Sequence, residues 1–83
     1  MLLKDKTAVI TGSNKGIGFK MLETFSKNGS NIVACSRNLN KDFLDQTEKL
    51  KKKFNNNIYP IKLDLENEES VKEAFIKINS LNL

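Results

Sequence analysis

One stretch decides the fold of this chain: Thr11-Gly12-Ser13-Asn14-Lys15-Gly16-Ile17-Gly18. It follows the apolar run Ala8-Val9-Ile10 and opens an amphipathic segment over residues 17–28. Glycine lets the backbone approach an anion closely, and a helix N-terminus presents unpaired N–H groups and the positive end of its dipole. A glycine-rich turn between a strand and a helix therefore predicts a phosphate-binding loop.

Strand and helix patterns alternate along the whole chain. The sequence predicts strands over residues 7–11, 31–36 and 58–63, each followed by a helix. Gly29 is predicted to cap the C-terminus of the first helix, and Asn67 the N-terminus of the third. The predicted apolar helix faces are Ile17, Met21, Leu22 and Phe25 in the first helix, Phe43, Thr47, Leu50 and Phe54 in the second, and Val71, Ala74, Phe75 and Ile78 in the third.

This alternation predicts an α/β fold of the Rossmann type. Almost continuous apolar strands between helices are typical of a parallel sheet with helices on both faces, so the first strand is expected to be buried on both faces. Right-handed crossovers then give a βαβαβα unit with the strand order 3-2-1, which is one half of a doubly wound fold.

Composition excludes several classes of protein and site. No apolar run approaches the ~20 residues of a membrane span, and residues 1–6 lack the apolar core of a signal peptide. The single cysteine, Cys35, forms no internal disulfide and suits a reducing, cytoplasmic location, where it is expected to be an inert core thiol. With no histidine and one cysteine, a structural zinc site is not expected.

The net charge of +4 leaves nucleic-acid binding open as an alternative function. Lys49, Lys51, Lys52 and Lys53 form a basic cluster that could face a nucleic acid, and such binding would depend steeply on salt. Two acids, Asp45 and Glu48, lie close beside the cluster in the same predicted helix, and no nucleic-acid motif accompanies it. A solvated helix face is the preferred interpretation, so no nucleic-acid partner is predicted.

The three glycines of the loop have separate roles. Gly12 permits the sharp exit from the first strand, Gly16 lets the backbone close on a pyrophosphate, and Gly18 allows close packing of helix and sheet. The spacing Gly-x-x-x-Gly-x-Gly, with Thr11 before it and Ile17 inside it, resembles the cofactor signature of the short-chain dehydrogenase/reductase family. The resemblance covers essentially the whole chain and is closest to reductases of the 3-oxoacyl-acyl-carrier-protein type.

The end of the second strand favours NADP over NAD. An acid at this position would bond a ribose 2′-hydroxyl, but the strand ends Ser36-Arg37-Asn38 and no acid follows before Asp42. Arginine can grip a 2′-phosphate bidentately, and Arg37 is the single arginine of the chain. Lys15 could add a second positive charge, and in the family a basic residue at each position accompanies NADP.

The resemblance also implies a role for Asp64-Leu65, which follow the third strand. In the family the acid binds the adenine amino group and the next residue adds a backbone contact, whereas a plain capping aspartate is the structural alternative. The complete set of predicted cofactor-binding residues is Gly12, Ser13, Asn14, Lys15, Gly16, Ile17, Gly18, Ser36, Arg37, Asp64 and Leu65.

No catalytic residue is predicted within the chain. The family uses a tyrosine with a lysine four residues later, but Tyr59 is followed at that distance by Leu63 and is interpreted as a strand aromatic. The resemblance implies that residues 1–83 are the N-terminal part of a dinucleotide-binding domain, inactive alone. The intact enzyme is expected to be a dimer or tetramer that acts on a small carbonyl or alcohol. A nucleotide-binding module or remnant without activity remains the alternative.

Overall fold

The computed structural model describes residues 5–14 and 16–81. Three strands and three helices alternate, in agreement with the predicted βαβαβα pattern, and the predicted bounds of the strands and of the first helix hold to within one residue. The elements are β1 (Thr7–Ile10), α1 (Gly16–Lys27), β2 (Asn31–Ser36), α2 (Lys41–Phe54), β3 (Ile58–Lys62) and α3 (Glu68–Ser80).

The strands form one parallel sheet. The middle strand, β2, pairs with β1 on one side and with β3 on the other, so the order across the sheet is β1-β2-β3. In register, Val9 lies opposite Val33, which lies opposite Tyr59. Helices on both faces of a parallel sheet confirm the predicted Rossmann-type α/β class.

Two apolar clusters fill the two faces of the sheet. The first cluster lies under α1 and α2 and comprises Ile10, Leu22, Ile32, Ala34, Phe43 and Ile58. The second cluster lies under α3 and comprises Val33, Cys35, Ile61 and Ala74. Successive residues of β2 enter alternate clusters because side chains of a strand point to opposite faces. Its four central residues are almost completely buried.

The prediction that β1 is buried on both faces was wrong. Ile10 is buried, but Thr7 and Val9 are exposed, and Val9 retains 55% of its accessible surface. The reason is that β1 is an edge of the described sheet and that α3 packs mainly against β3. Val9 therefore lines an apolar groove of about 220 Å³ between β1 and α3, here called the β1–α3 groove.

The helix faces were predicted in part. In α2, Phe43 and Thr47 are buried as expected, because the pattern places them one helical turn apart. In α1, however, Leu22 and Ser26 point inward while Ile17 and Met21 are exposed. Phe75 of α3 is also exposed, since it borders the open β1–α3 groove. These three apolar residues were wrongly assigned to the core.

Two predicted helix caps are confirmed. Gly29 has a φ of 88° after the end of α1, a conformation that suits glycine at a helix C-terminus. The side-chain oxygen of Asn67 accepts hydrogen bonds from the backbone N–H groups of Glu69 and Ser70 at the start of α3. Gly29 follows the end of α1 just before the chain enters β2, and Asn67 precedes the start of α3 just after the chain leaves β3.

Candidate nucleotide site

The predicted site residues converge at one edge of the sheet. Because β1, β2 and β3 are parallel, their carboxyl ends lie at the same edge, which is where open α/β sheets bind ligands. The glycine loop follows β1, Arg37 follows β2, and Asp64 follows β3 at that edge. The topology thus brings together three segments that are far apart in sequence.

Gly12 and Gly16 give the loop its shape. Both have a left-handed φ, of 59° and 60° respectively, a backbone conformation that residues with a side chain adopt only with strain. A Cβ at either position would meet no atom within 4 Å, so the space beside the loop is open. A loop of this shape leaves an anion room to approach the backbone.

Gly18 has a different function, which is packing. A Cβ there would collide with the backbone of Gly12, lying 2.7 Å from its carbonyl carbon and 3.1 Å from the Cα of Ser13. The first turn of α1 consequently rests directly on the loop that precedes it. This contact holds the helix N-terminus beside the end of β1.

Ser13 fastens the loop to the middle of the sheet. It is completely buried, its backbone N–H donates to the carbonyl oxygen of Cys35 at 3.0 Å, and its hydroxyl donates to the same oxygen at 2.9 Å. Both polar groups of Ser13 are therefore used within the protein. No local sequence pattern predicts these bonds, because Ser13 follows β1 whereas Cys35 belongs to β2.

The N-terminus of α1 is suited to a negative charge. The helix begins at Gly16, which is exposed, and its first turn contains no acidic residue. Ile17 is 82% exposed, and Asn14 is half-buried at the preceding turn. The positive end of the helix dipole is thus accessible from the loop. Lys15, which was predicted to add a positive charge, lies outside the described residues.

Arg37 and Asp64 form an ion pair across the ends of β2 and β3. The Nε atom of Arg37 lies 3.5 Å from Oδ2 of Asp64, with the arginine side chain 69% exposed and the aspartate side chain 23% exposed. Ser36, immediately before the arginine, is buried, and its hydroxyl donates to the carbonyl oxygen of Asn38. Leu65 is 69% exposed. The pairing was not anticipated, although both residues were predicted to bind the cofactor.

The residues present fit the phosphate and ribose groups of a dinucleotide. An open, side-chain-free cradle beside the glycine loop leaves room for the phosphates, and an exposed guanidinium stands at the next strand end. A separate cavity of about 520 Å³ lies where the strands begin, lined by Asp5, Gly29, Asn31, Phe54, Asn55, Asn56 and Asn57. That edge has no glycine cradle at a helix N-terminus, so we place the site at the carboxyl edge.

Other candidate chemistry is not supported. Burial removes the Cys35 thiol from water and raises its pKa above the ordinary value of 9.0, which disfavours the reactive thiolate. Tyr59 is a half-buried residue of β3, as its interpretation as a strand aromatic requires. Among residues 5–14 and 16–81, no group of three His, Cys, Asp or Glu side chains could hold a metal ion.

The sequence matches one protein family along most of its length. The sequence model of the family described as short chain dehydrogenase matches residues 6–81. The chain belongs to this family. The predicted family resemblance is therefore confirmed, while the narrower resemblance to 3-oxoacyl-acyl-carrier-protein reductases stays a prediction.

Curated relatives in the family are longer proteins. The chain is 36% identical over 73 residues to the peroxisomal 2,4-dienoyl-CoA reductase of Danio rerio, covering 88% of this chain and 24% of that protein. It is 35% identical over 79 residues to the 12alpha-hydroxysteroid dehydrogenase of a Clostridium species, covering 88% and 30%. The chain thus spans less than a third of the length of either relative.

Solved structures of family members share the fold. L-sorbose reductase from Gluconobacter frateurii, complexed with NADPH and L-sorbose, has a TM-score of 0.82 at 34% identity, over 96% of this chain and 30% of that one. NADPH-dependent 3-quinuclidinone reductase from Rhodotorula rubra also has a TM-score of 0.82, at 26% identity, over 94% and 29%. In the part of the family fold described for this chain, no helix is both long and apolar enough to cross a membrane.

Proposed function

We propose that this chain is the NADP-binding part of an oxidoreductase that transfers a hydride between NADP(H) and a carbonyl or alcohol substrate. The observation that carries the proposal is the meeting of the glycine cradle, Arg37 and Asp64 at one edge of a sheet of this family. The names of related structures support the same coenzyme, since two of them are NADPH-complexed or NADPH-dependent reductases.

Each group of the site has a proposed task. The backbone of the glycine loop other than Ser13, together with the N-terminus of α1, binds the pyrophosphate, because its N–H groups and the helix dipole favour an anion. Arg37 binds the 2′-phosphate, which a carboxylate at that position would repel. Asp64 and Leu65 contact the adenine, as the family resemblance implies. Bound NADPH would supply the hydride, and no residue of this chain is assigned to the proton transfer.

The first test is a titration that isolates the half of the coenzyme that these residues would contact. We expect 2′,5′-ADP to bind the 83-residue chain more tightly than 5′-AMP in isothermal titration calorimetry. Arg37→Asp should reduce that preference at least about tenfold, to equal binding or less, because a charged hydrogen-bonded contact is lost and a repulsive one is introduced. Lys49→Asp is the matched control, since it changes net charge equally on an exposed face of α2. Equal binding of both ligands by the unaltered chain would refute the proposal.

A second test addresses the cradle itself. Gly16→Ala places a Cβ in the open space beside the loop and should weaken both ligands, because the backbone no longer approaches the phosphates closely. Gly29→Ala introduces comparable strain at a left-handed φ but lies at the other end of α1. If the two variants weaken binding equally, the effect is one of stability and the loop is not the phosphate site.

A nucleotide-binding module without turnover uses the same site and is the second candidate. It is favoured by the composition of the candidate site, whose described residues are all assigned to binding the coenzyme. Nucleotide binding without NADPH oxidation over a panel of ketones and aldehydes would support this candidate. Oxidation of NADPH with one of these substrates would support the oxidoreductase.

A further inference from the structure

Asp64 has contacts that suit a second task besides contacting adenine. Its backbone N–H donates to the hydroxyl oxygen of Ser70 at 2.9 Å, and its carbonyl oxygen accepts from the N–H of Asn67 at 3.0 Å. Its Oδ1 atom accepts from the N–H of Glu66 at 3.1 Å. Three contacts thus fix the residue within the loop between β3 and α3. The bond from Glu66 orients the carboxylate at the edge of the site.

Arg37 is the more exposed member of the pair. Its side chain is 69% exposed, and the ion pair with Oδ2 of Asp64 is the contact that restrains it at its charged end. A guanidinium has five N–H donors in a planar fork, so pairing through Nε leaves the two terminal nitrogens to bind a phosphate. A long, exposed side chain that is already oriented loses less conformational freedom when it binds.

We propose that Asp64 is a positioning residue, which holds Arg37 by its Nε side and presents the rest of the guanidinium to the 2′-phosphate. This inference rests on the proposed NADP site. It makes the residue after β3 a determinant of coenzyme preference, in addition to the residue after β2. Because Arg37 neutralises the carboxylate with which it pairs, orientation of the arginine outweighs repulsion of the phosphate.

The test compares 5′-AMP with 2′,5′-ADP, two ligands that share adenine, ribose and the 5′-phosphate and differ by the 2′-phosphate. The ratio of the dissociation constants of 5′-AMP and 2′,5′-ADP cancels any direct effect of Asp64 on adenine and reports the 2′-phosphate alone. We expect Asp64→Asn to lower this ratio about threefold, which is the size of effect that exposed ion pairs have. Asp64→Glu, which keeps the charge, should restore most of the ratio.

The arginine variant supplies the control for mechanism. In an Arg37→Gln background, Asp64→Asn should leave the ratio unchanged, because the residue through which the aspartate acts has been removed. An equal loss in both backgrounds would overturn the inference, as would an unchanged or increased ratio in Asp64→Asn alone. If the unaltered chain shows no preference for 2′,5′-ADP, the proposed NADP site fails and the inference fails with it.

A ligand-free measurement tests the geometry directly. Arg37 is the single arginine, so the chain has one arginine Nε–H signal in a ¹⁵N-correlated NMR spectrum. We expect an ordered Nε–H group in the unaltered chain and in Asp64→Glu, with an order parameter that falls in Asp64→Asn. A freely mobile Nε–H group in the unaltered chain would overturn the inference whatever the titrations show.

Discussion

The first and second clusters lie on opposite faces of one sheet, and they are covered to different extents. Two helices, α1 and α2, close the first face, whereas α3 alone covers the second and packs mainly on β3. Val33 and Val9 show the consequence, because they are register partners on the same face. Val33 is completely buried while Val9 is 55% exposed. Burial of an apolar strand residue therefore depends on which helix lies over it.

The same difference in coverage distinguishes the surroundings of the glycine loop from those of the β1–α3 groove. The glycine loop is fixed to the closed part of the molecule through the packing of Gly18 and the bonds from Ser13 to Cys35. The β1–α3 groove, lined by Val9, Leu65 and Phe75 among others, is entirely apolar and open. We expect mutations to have large effects near the closed face and small effects around the groove.

The largest expected effect comes from the centre of the closed face. Ile32→Ala removes a completely buried side chain from the first cluster and should lower the free energy of unfolding by about 4 kcal/mol. Ile76→Ala is the matched control, because Ile76 is 69% exposed on α3, and its effect should stay within about 0.5 kcal/mol. Urea unfolding followed by circular dichroism measures both. Equal losses would contradict the burial of Ile32 described here.

The next effect tests how α1 is held to that face. Gly18→Ala should cost about 3 kcal/mol, because the new Cβ meets backbone atoms that cannot move away without displacing the helix. Gly16→Ala meets no atom and should cost only the ~1 kcal/mol of a left-handed φ. Thermal unfolding of the two variants provides the comparison. A loss at position 16 that exceeds the loss at position 18 would contradict the packing described here.

The register partners on the second face give a smaller difference. Val33→Ala should cost about 2 kcal/mol, since two buried methyl groups are lost from the second cluster. Val9→Ala, in the open groove, should cost no more than about 0.5 kcal/mol. Urea midpoints are again the measurement. Similar costs for both would indicate that the groove is closed over β1 in solution.

The smallest effect concerns pH and the buried thiol. Burial raises the pKa of Cys35 above 9.0, so the folded chain keeps this proton at a pH where the unfolded chain has lost it. The stabilising contribution is therefore complete below pH 9 and is lost as the pH rises from there through the folded-state pKa. The free energy of unfolding, measured under reducing conditions from pH 8 to 10.5, should decline less steeply for Cys35→Ala than for the unaltered chain. Identical slopes would indicate that α3 does not keep the thiol dry.

The sequence predicted the strands, helices and helix caps well, but it predicted the burial of some of these elements poorly. Glycine and asparagine signals located Gly29 and Asn67 correctly, because a cap is a local matter of backbone conformation and nearby N–H groups. The apolar pattern of β1 was uninformative about burial, since an edge strand and a central strand can have the same composition. Val9 was therefore assigned to a covered face that it does not have.

In the candidate site, too, local features were predicted from the sequence, whereas contacts between strands were not. The order and spacing of Gly12, Gly16 and Gly18 predicted the family from sequence alone, because each glycine meets a local requirement of backbone geometry or close packing. The tie from Ser13 to Cys35 and the pairing of Arg37 with Asp64 were not predictable in this way. Each joins residues of different strands, and only the register of the sheet brings them together.

By itself, the sequence determined the alternation of strands and helices, the glycine-rich turn after β1 and the charge that follows β2. These depend on interactions within a few residues of one another, such as steric freedom at glycine and periodicity of apolar side chains. Tertiary structure alone decided that Val9 is open to solvent while Val33 is buried, and that Arg37 is held by Asp64. The physical reason is that burial and ion pairing depend on which distant segments are neighbours in space, and parallel pairing of the strands fixes those neighbours.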